Sequence, residues 1–84
     1  MKIYFSRHAK NRMRRFKVKS EEVVSAIEAP DVLVESHKGR KNAWKKRNGG
    51  YLRVTFCTEG SRDIMVVTVT VKSKLSGEED GDEN

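Results

Sequence analysis

The stretch from Tyr51 to Val71 constrains the fold most, because it has the pattern of a β-hairpin. In the first arm, residues 51–57, apolar and other side chains alternate with a period of two, which is typical of a strand with one face on a core. The second arm is expected to place four apolar side chains on one face: Met65, Val67, Val69 and Val71. A Gly in the segment between the arms suits a hairpin turn. We therefore expect two antiparallel strands at the centre of a sheet.

The composition indicates one small domain that has neither a metal site nor a disulfide. With 84 residues the chain forms a modest core, so a partner is expected from size alone, including a second copy of the chain. Cys57 is the only cysteine, and with His8 and His37 it gives no ligand cluster at usable spacing. We expect no metal and no cofactor. The absence of a long apolar run and of a secretory signal predicts a cytoplasmic protein without a membrane segment.

The charges are distributed unevenly along the chain. Residues 1–75, the predicted domain, contain all 18 basic side chains and seven of the 12 acidic ones, which gives a net charge of +11. Residues 76–84 carry the other five acids, and we expect this tail to be disordered. It would either shield the basic surface or serve only as a solubilising end. A body this basic is expected to bind a polyanion, with nucleic acid as the first candidate.

The remaining segments predict two helices and further strands. Residues 2–5 are expected to form a short strand, and Ser6 to cap a helix that starts at Arg7. Ser20 is expected to cap a second helix, which Pro30 ends. Residues 31–36 and 43–47 are expected to be strands, and the turn at residues 48–50 is a strong hairpin signal. The predicted fold is α+β: two N-terminal helices packed on a curved antiparallel sheet of about four strands.

The first helix has three distinct sides. Ala9, Met13 and Phe16 form a narrow apolar stripe. One flank of that stripe carries His8, Arg12 and Arg15, and the outer side carries Arg7, Lys10 and Arg14. Groups beside a buried stripe line the edge of any cleft against the sheet, so the flank is the better candidate for a site.

Three motifs in order resemble an uncharacterised family of small prokaryotic domains. They are F-S-R-H-A-K-N-R-M-R-R-F at the start, S-E-E-V-V-S-A-I-E-A-P-D in the middle, and G-Y-L-R-V-T-F with I-M-V-V-T-V near the end. The series covers about residues 5–72 and is similar to a branch of the RelE/ParE toxin superfamily, near the BrnT-type toxins. Lys17 stands where relatives often have Gly, and the W-D-x-x-K start of BrnT proteins is absent.

This resemblance implies a toxin that cleaves RNA without a metal and is held in check by an antitoxin protein. The family's opening His and Arg correspond to His8 and Arg12, and its strand Arg corresponds to Arg53. Cleavage of this kind needs an acid, a base and cations around the phosphate, and His8 has the side chain best suited to proton transfer. The alternatives are a helix-start His with a local hydrogen bond, and Arg side chains on solvated faces.

A second basic run provides candidate nucleic-acid contacts. The predicted binding residues, together with Arg15 of the first helix, are Arg40, Lys41, Lys45, Lys46, Arg47 and Tyr51. Cations follow phosphates and aromatic rings stack on bases, so this run is typical of a surface for single-stranded RNA, which is favoured over DNA. Trp44, inside the run, is expected to belong to the core. An acidic partner such as an antitoxin would explain the cations equally well.

The sequence thus leaves three hypotheses open. The first is a metal-independent endoribonuclease of a toxin–antitoxin system, with His8, Arg12 and Arg53 at the reaction centre. The second is a nucleic-acid-binding module without catalysis on the same scaffold. The third is a protein-interaction domain that pairs with an acidic chain.

Overall fold

The fold places two helices on one side of a five-stranded sheet. The computed structural model describes residues 2–60 and 62–73, and the predicted tail over residues 76–84 lies outside them. The elements are β1 (Ile3–Phe5), α1 (Arg7–Phe16), α2 (Ser20–Glu28), β2 (Val32–Glu35), a 3-10 turn (His37–Gly39), β3 (Lys41–Arg47), β4 (Gly50–Glu59) and β5 (Asp63–Lys72). The predicted α+β class with two helices is confirmed.

The sheet differs from the prediction in strand number and direction. Its order is β1-β5-β4-β3-β2, and β1 runs parallel to β5 while all other neighbours are antiparallel. The expectation of an antiparallel sheet of about four strands was therefore wrong in these two details. β1 is three residues long and pairs with the last strand of the chain, so no local pattern indicates its direction.

The turn between β3 and β4 has the geometry that its sequence predicts. Arg47 and Gly50 are directly opposite each other, which leaves Asn48 and Gly49 as a two-residue loop. Both have positive φ, 43° and 82°. Two central residues of this kind form the turn that matches the twist of a hairpin, and Asn and Gly adopt it at low cost.

A β-bulge in β5 changes which of its side chains face the core. Val54 lies opposite Val69, but Phe56 lies opposite Val66, so Val67 is an extra residue in the ladder. An extra residue reverses the alternation of side chains beyond it. Ile64 and Val66 consequently join Val69 in the buried core. The prediction that Met65 and Val67 share a face with Val69 was wrong for this reason.

Both helices begin and end with defined hydrogen bonds. Ser6 caps α1 as predicted, because its Oγ accepts from the amide of Ala9 at 2.9 Å. The N-cap of α2 is Lys19, one residue before the predicted Ser20, and the Glu22 carboxylate accepts from its amide at 2.9 Å. α1 ends where Lys17 adopts left-handed geometry with φ 57°, which lets the Val18 amide donate to Met13 at 2.8 Å.

The two faces of the sheet have different surroundings. α1 packs on β5 and β1, and α2 packs on β3 and β4. The buried cluster on this side includes Leu52, Val54 and Ala43, so we call this the covered face. Side chains alternate along strands, so Arg53 and its neighbour Trp44 point to the other side, which we call the open face.

Candidate nucleic-acid interface

The open face carries a row of four side chains across the centre of the sheet. Val32, Trp44, Arg53 and Thr70 lie opposite one another on four adjacent strands. Cζ of Arg53 lies 5.6 Å from the centroid of the Trp44 ring. The Trp44 side chain is buried, with 3 % of its surface exposed. It is buried as predicted, yet it lies against Arg53 on the open face and is not part of the main core cluster.

A second row on the open face combines two cations and an aromatic ring. Tyr51 of β4 lies between Lys46 of β3 and Lys72 of β5. Its ring meets that of Trp44 edge to face, with centroids 6.3 Å apart. Tyr51 is half-buried and Lys46 is exposed. Lys72 was not among the predicted binding residues, although alternation along β4 and β5 places it beside Tyr51.

Arg12 reaches this region from α1 over the edge of the sheet. β1 pairs only with residues 64–66 of β5, so the carbonyl groups further along that edge need other partners. Arg12 Nε donates to the Val69 carbonyl at 3.2 Å, and Nη2 donates to Thr70 Oγ1 at 3.3 Å. Ser6 Oγ donates to the Val67 carbonyl at 2.8 Å in the same way. Arg12 thus satisfies a carbonyl group at the free edge of β5, and its guanidinium group lies beside the open face.

The three predicted catalytic residues converge only in part. Arg12 and Arg53 both lie beside Thr70, one through a hydrogen bond and the other as its cross-strand neighbour. His8 lies one helical turn before Arg12 on the same flank of α1, and it is exposed. Within the described part of the chain its side chain makes no hydrogen bond. Arg15 also lies on this flank, where Arg12 and Arg15 stack on the Phe16 ring at 5.2 and 5.9 Å.

Two cations of the second basic run are engaged inside the fold. Lys45 Nζ donates to the Ala29 carbonyl at the C-terminal end of α2, at 2.7 Å. Arg47 donates to the Glu22 carboxylate at 2.9 Å and to the Lys17 carbonyl at 3.0 Å. These side chains attach both ends of α2 to β3. No local pattern indicates this use of Lys45 and Arg47, because their partners lie 16 to 30 residues away.

Two further cations of that run, Lys41 and Arg40, lie away from the open face. Lys41 is half-buried on the side of the sheet that carries Phe56, and Glu35 is its neighbour on β2. Arg40 is exposed and follows the 3-10 turn, where its amide donates to the His37 carbonyl at 3.1 Å. The predicted binding residues therefore divide, with Lys46 and Tyr51 on the open face and the rest elsewhere.

A cleft of about 280 Å³ lies between α2 and β3 and contains mixed charges. Its walls are formed by Glu21, Glu22, Ser25, Lys45, Lys46, Arg47 and Leu52. The hydrogen bond from Arg47, together with the bond from the Lys19 amide, lowers the pKa of Glu22 below its ordinary value. Carboxylates beside the cations disfavour a phosphate here, and none of the three predicted catalytic residues lines the cleft.

The described residues contain neither a cluster of metal ligands nor a helix suited to a bilayer. No group of three or more His, Cys, Asp or Glu side chains in residues 2–60 and 62–73 is arranged to hold a metal ion. Neither helix in this part of the chain has the length and apolar character needed to cross a bilayer.

Residues 5–71 match the model of one protein family, which is described as a domain of unknown function, DUF4258. The match includes α1, α2, β2, β3 and β4, all of β5 except Lys72, and only Phe5 of β1. The chain belongs to this family. No curated protein and no solved structure matches it.

Proposed function

We propose that this DUF4258 protein binds RNA on the open face of its sheet. The observation that carries the proposal is the second row on that face, in which Tyr51 lies between Lys46 and Lys72. Arg53 and Arg12 add positive charge next to it, on either side of Thr70. A sheet that offers cations for the backbone and a ring for stacking suits a single strand whose bases are unstacked.

The predicted cellular role follows the resemblance to toxins. In this proposal the protein is the basic component of a cytoplasmic toxin–antitoxin pair, and an acidic antitoxin covers the RNA-binding surface. The net charge of +11 on residues 1–75 supports a partner of opposite charge. The antitoxin proposal is tested separately by co-expressing the protein with acidic proteins that are encoded next to it. A single stable complex is the expected result.

Binding is tested with a fluorescent single-stranded RNA of 12 nucleotides and the DNA of the same sequence. We expect affinity that falls steeply with salt, and tighter binding to RNA where the 2′-hydroxyl is contacted. Tyr51→Leu should weaken binding by about fivefold or more, since one stacked base contributes about 1–3 kcal/mol. Lys46→Gln should weaken binding to every sequence and reduce the slope of its salt dependence by about 1. Lys38→Gln, which removes an exposed charge away from the open face, is the matched control.

Two results would contradict the proposal. One is affinity that does not change between low and high salt. The other is an equal loss for Lys38→Gln and Lys46→Gln, because then only the net charge matters and the open face has no special role.

Metal-independent cleavage is the second candidate function, and one observation favours it. Arg12 and Arg53 approach Thr70 from opposite sides, and His8 lies one turn from Arg12. A phosphodiester near Thr70 would meet two guanidinium groups that balance the charge developing on phosphorus. His8 would take the proton from the 2′-hydroxyl as that oxygen attacks, or give one to the departing 5′-oxygen.

Cleavage is tested by incubating RNA or translating ribosomes with the protein in excess EDTA. We expect products that end in a 2′,3′-cyclic phosphate, and a rate reduced about 100-fold or more by His8→Gln. His37→Gln is the matched control, because His37 is also exposed but lies on the 3-10 turn. If wild type gives no product on either substrate, binding without catalysis is the function that stands.

A further inference from the structure

α1 carries a row of four exposed cations that face away from the sheet. Arg7, Lys10 and Arg14 follow one side of the helix, and Lys17 continues the row just past its end. We call these four residues the α1 row. α1 contains no acidic residue. Among residues 2–60 and 62–73, no carboxylate forms an ion pair with any member of the row; the ion pair found there joins Arg47 and Glu22.

Such a row costs stability unless an anion lies over it. Like charges three or four residues apart on a helix destabilise it by about 0.2–0.5 kcal/mol per pair. The row contains three such pairs in succession, and Arg7 adds a positive charge to the first turn, where the helix dipole is already positive. A bound polyanion would convert these repulsions into attractions.

The end of β5 lies near the last turn of this helix. Ser6, the N-cap of α1, contacts Val67 of β5, and Arg12 of α1 contacts Val69, so the helix and the strand run in the same direction. The last turn of α1 therefore lies near the end of β5, where Lys72 is the last strand residue. The chain continues from there toward Glu78, the first of five carboxylates.

The acidic segment is long enough to cover the α1 row, and the residues before it are long enough to reach the row. Five residues lead from Ser73 to Glu78, about 17 Å of extended chain, and residues 78–83 span about 20 Å more. α1, with ten residues, is about 15 Å long. The acidic segment can thus start beside Lys17 and extend back past Arg7. We propose that residues 78–83 dock on the α1 row and cover its four cations.

Attachment through a short linker favours this contact over any free anion. A short flexible connection gives an effective concentration on the order of millimolar. A local affinity of about 0.1 mM would then keep the segment docked in about nine of ten molecules at low salt. Any other polyanion that uses the α1 row must displace it. This docking site is separate from the proposed RNA-binding surface, because the α1 row and the open face lie on opposite sides of the sheet.

The test places a spin label within the acidic segment and needs no nucleic acid. Gly81→Cys accepts the label in a Cys57→Ser background, so no charge is lost. At about 20 mM salt we expect strong relaxation enhancement at the α1 amides and little at β4 residues on the open face. At about 0.5 M salt, where screening is nearly complete at this distance, the enhancement should fall at least about threefold.

A pair of double variants shows whether the row itself holds the segment. Lys10→Gln with Arg14→Gln should reduce the α1 enhancement about threefold or more, since half of the attracting charge is gone. Lys2→Gln with Lys38→Gln removes the same charge at exposed positions elsewhere and should leave it unchanged. An equal reduction in both pairs would overturn the proposal, because it would assign the effect to net charge alone.

A second readout uses the chain without a label. Replacing the five tail carboxylates by amides should move the amide signals of α1 and leave those of β2 in place. Larger shifts at Tyr51 and Arg53 than in α1 would place the segment on the open face and contradict the inference. Since no RNA is present, neither outcome depends on whether the protein binds RNA.

Discussion

Nε of Arg47 lies 2.9 Å from Oε2 of Glu22, and this ion pair joins the last residue of β3 to the first turn of α2. Arg47 also donates to the Lys17 carbonyl, so one side chain connects β3, the start of α2 and the end of α1. A cation that sequence patterns assign to RNA is therefore part of what positions the helices.

The Arg47–Glu22 pair should make stability depend on pH. The pKa of Glu22 is lowered in the folded state, so its contribution is present above the ordinary carboxyl pKa and is lost as pH falls through the lowered value. Glu22→Gln should cost about 0.5–1 kcal/mol at pH 7, a modest value because the side chain is about a third exposed. Urea unfolding between pH 7 and pH 3 should show a flatter profile for this variant. Glu28→Gln, at the other end of α2, should keep the wild-type profile.

Lys17→Gly should stabilise the protein. Lys17 has φ 57°, a conformation that costs an L-residue about 1–2 kcal/mol and glycine very little. Glycine also loses more freedom on folding, so we expect a net gain of about 0.5–1 kcal/mol in urea unfolding. Lys17→Ala removes the same charge but keeps Cβ. If both variants gain equally, relief of charge repulsion is the cause and the backbone explanation fails.

The bulge in β5 predicts different costs for the same substitution two residues apart. Val69→Thr puts a hydroxyl group at a position with no exposed surface, which should cost about 1–3 kcal/mol. Val67→Thr changes a half-buried residue in the bulge and should cost less than about 0.5 kcal/mol. Denaturant midpoints of the two variants measure the difference. Similar losses would mean that Val67 and Val69 share a face after all.

Arg12→Lys tests the sealing of the β5 edge. A lysine keeps the charge, but its compact ammonium group cannot reproduce the two-point contact with Val69 and Thr70. We expect a loss of about 1 kcal/mol in unfolding free energy and faster hydrogen exchange in β5. Arg15→Lys, which alters only an exposed side chain on the Phe16 ring, should change neither. If Arg12→Lys has the same unfolding free energy as wild type, the two hydrogen bonds of Arg12 do not stabilise the β5 edge. Arg12 would then act only in binding or catalysis.

Local features of the fold could be predicted because their causes are local. The Asn48–Gly49 turn needs two positive φ angles, and Ser6 caps a helix that begins at the next residue. The bulge at Val67 and the parallel pairing of β1 depend on partners far along the chain. For α2 the error was smaller, because either Lys19 or Ser20 can precede a first turn that contains Glu22.

The candidate site was predictable to the extent that it depends on alternation. Arg53 was expected on the face opposite Leu52, and that placement puts it beside Trp44 and Thr70. The use of Lys45 and Arg47 could not be predicted, since a long cation has the same sequence signature whether it meets a phosphate or a carbonyl. Lys72 was missed because its neighbour Tyr51 comes from another strand.

β1 covers only the first part of the β5 edge, and the side chains of Ser6 and Arg12 close the following part. On the far side the sheet ends in β2, whose outer backbone groups meet no other strand within the described chain. Strand pairing between two molecules through β2 would form a closed pair of two copies, because a two-fold interface uses the same edge strand of both partners.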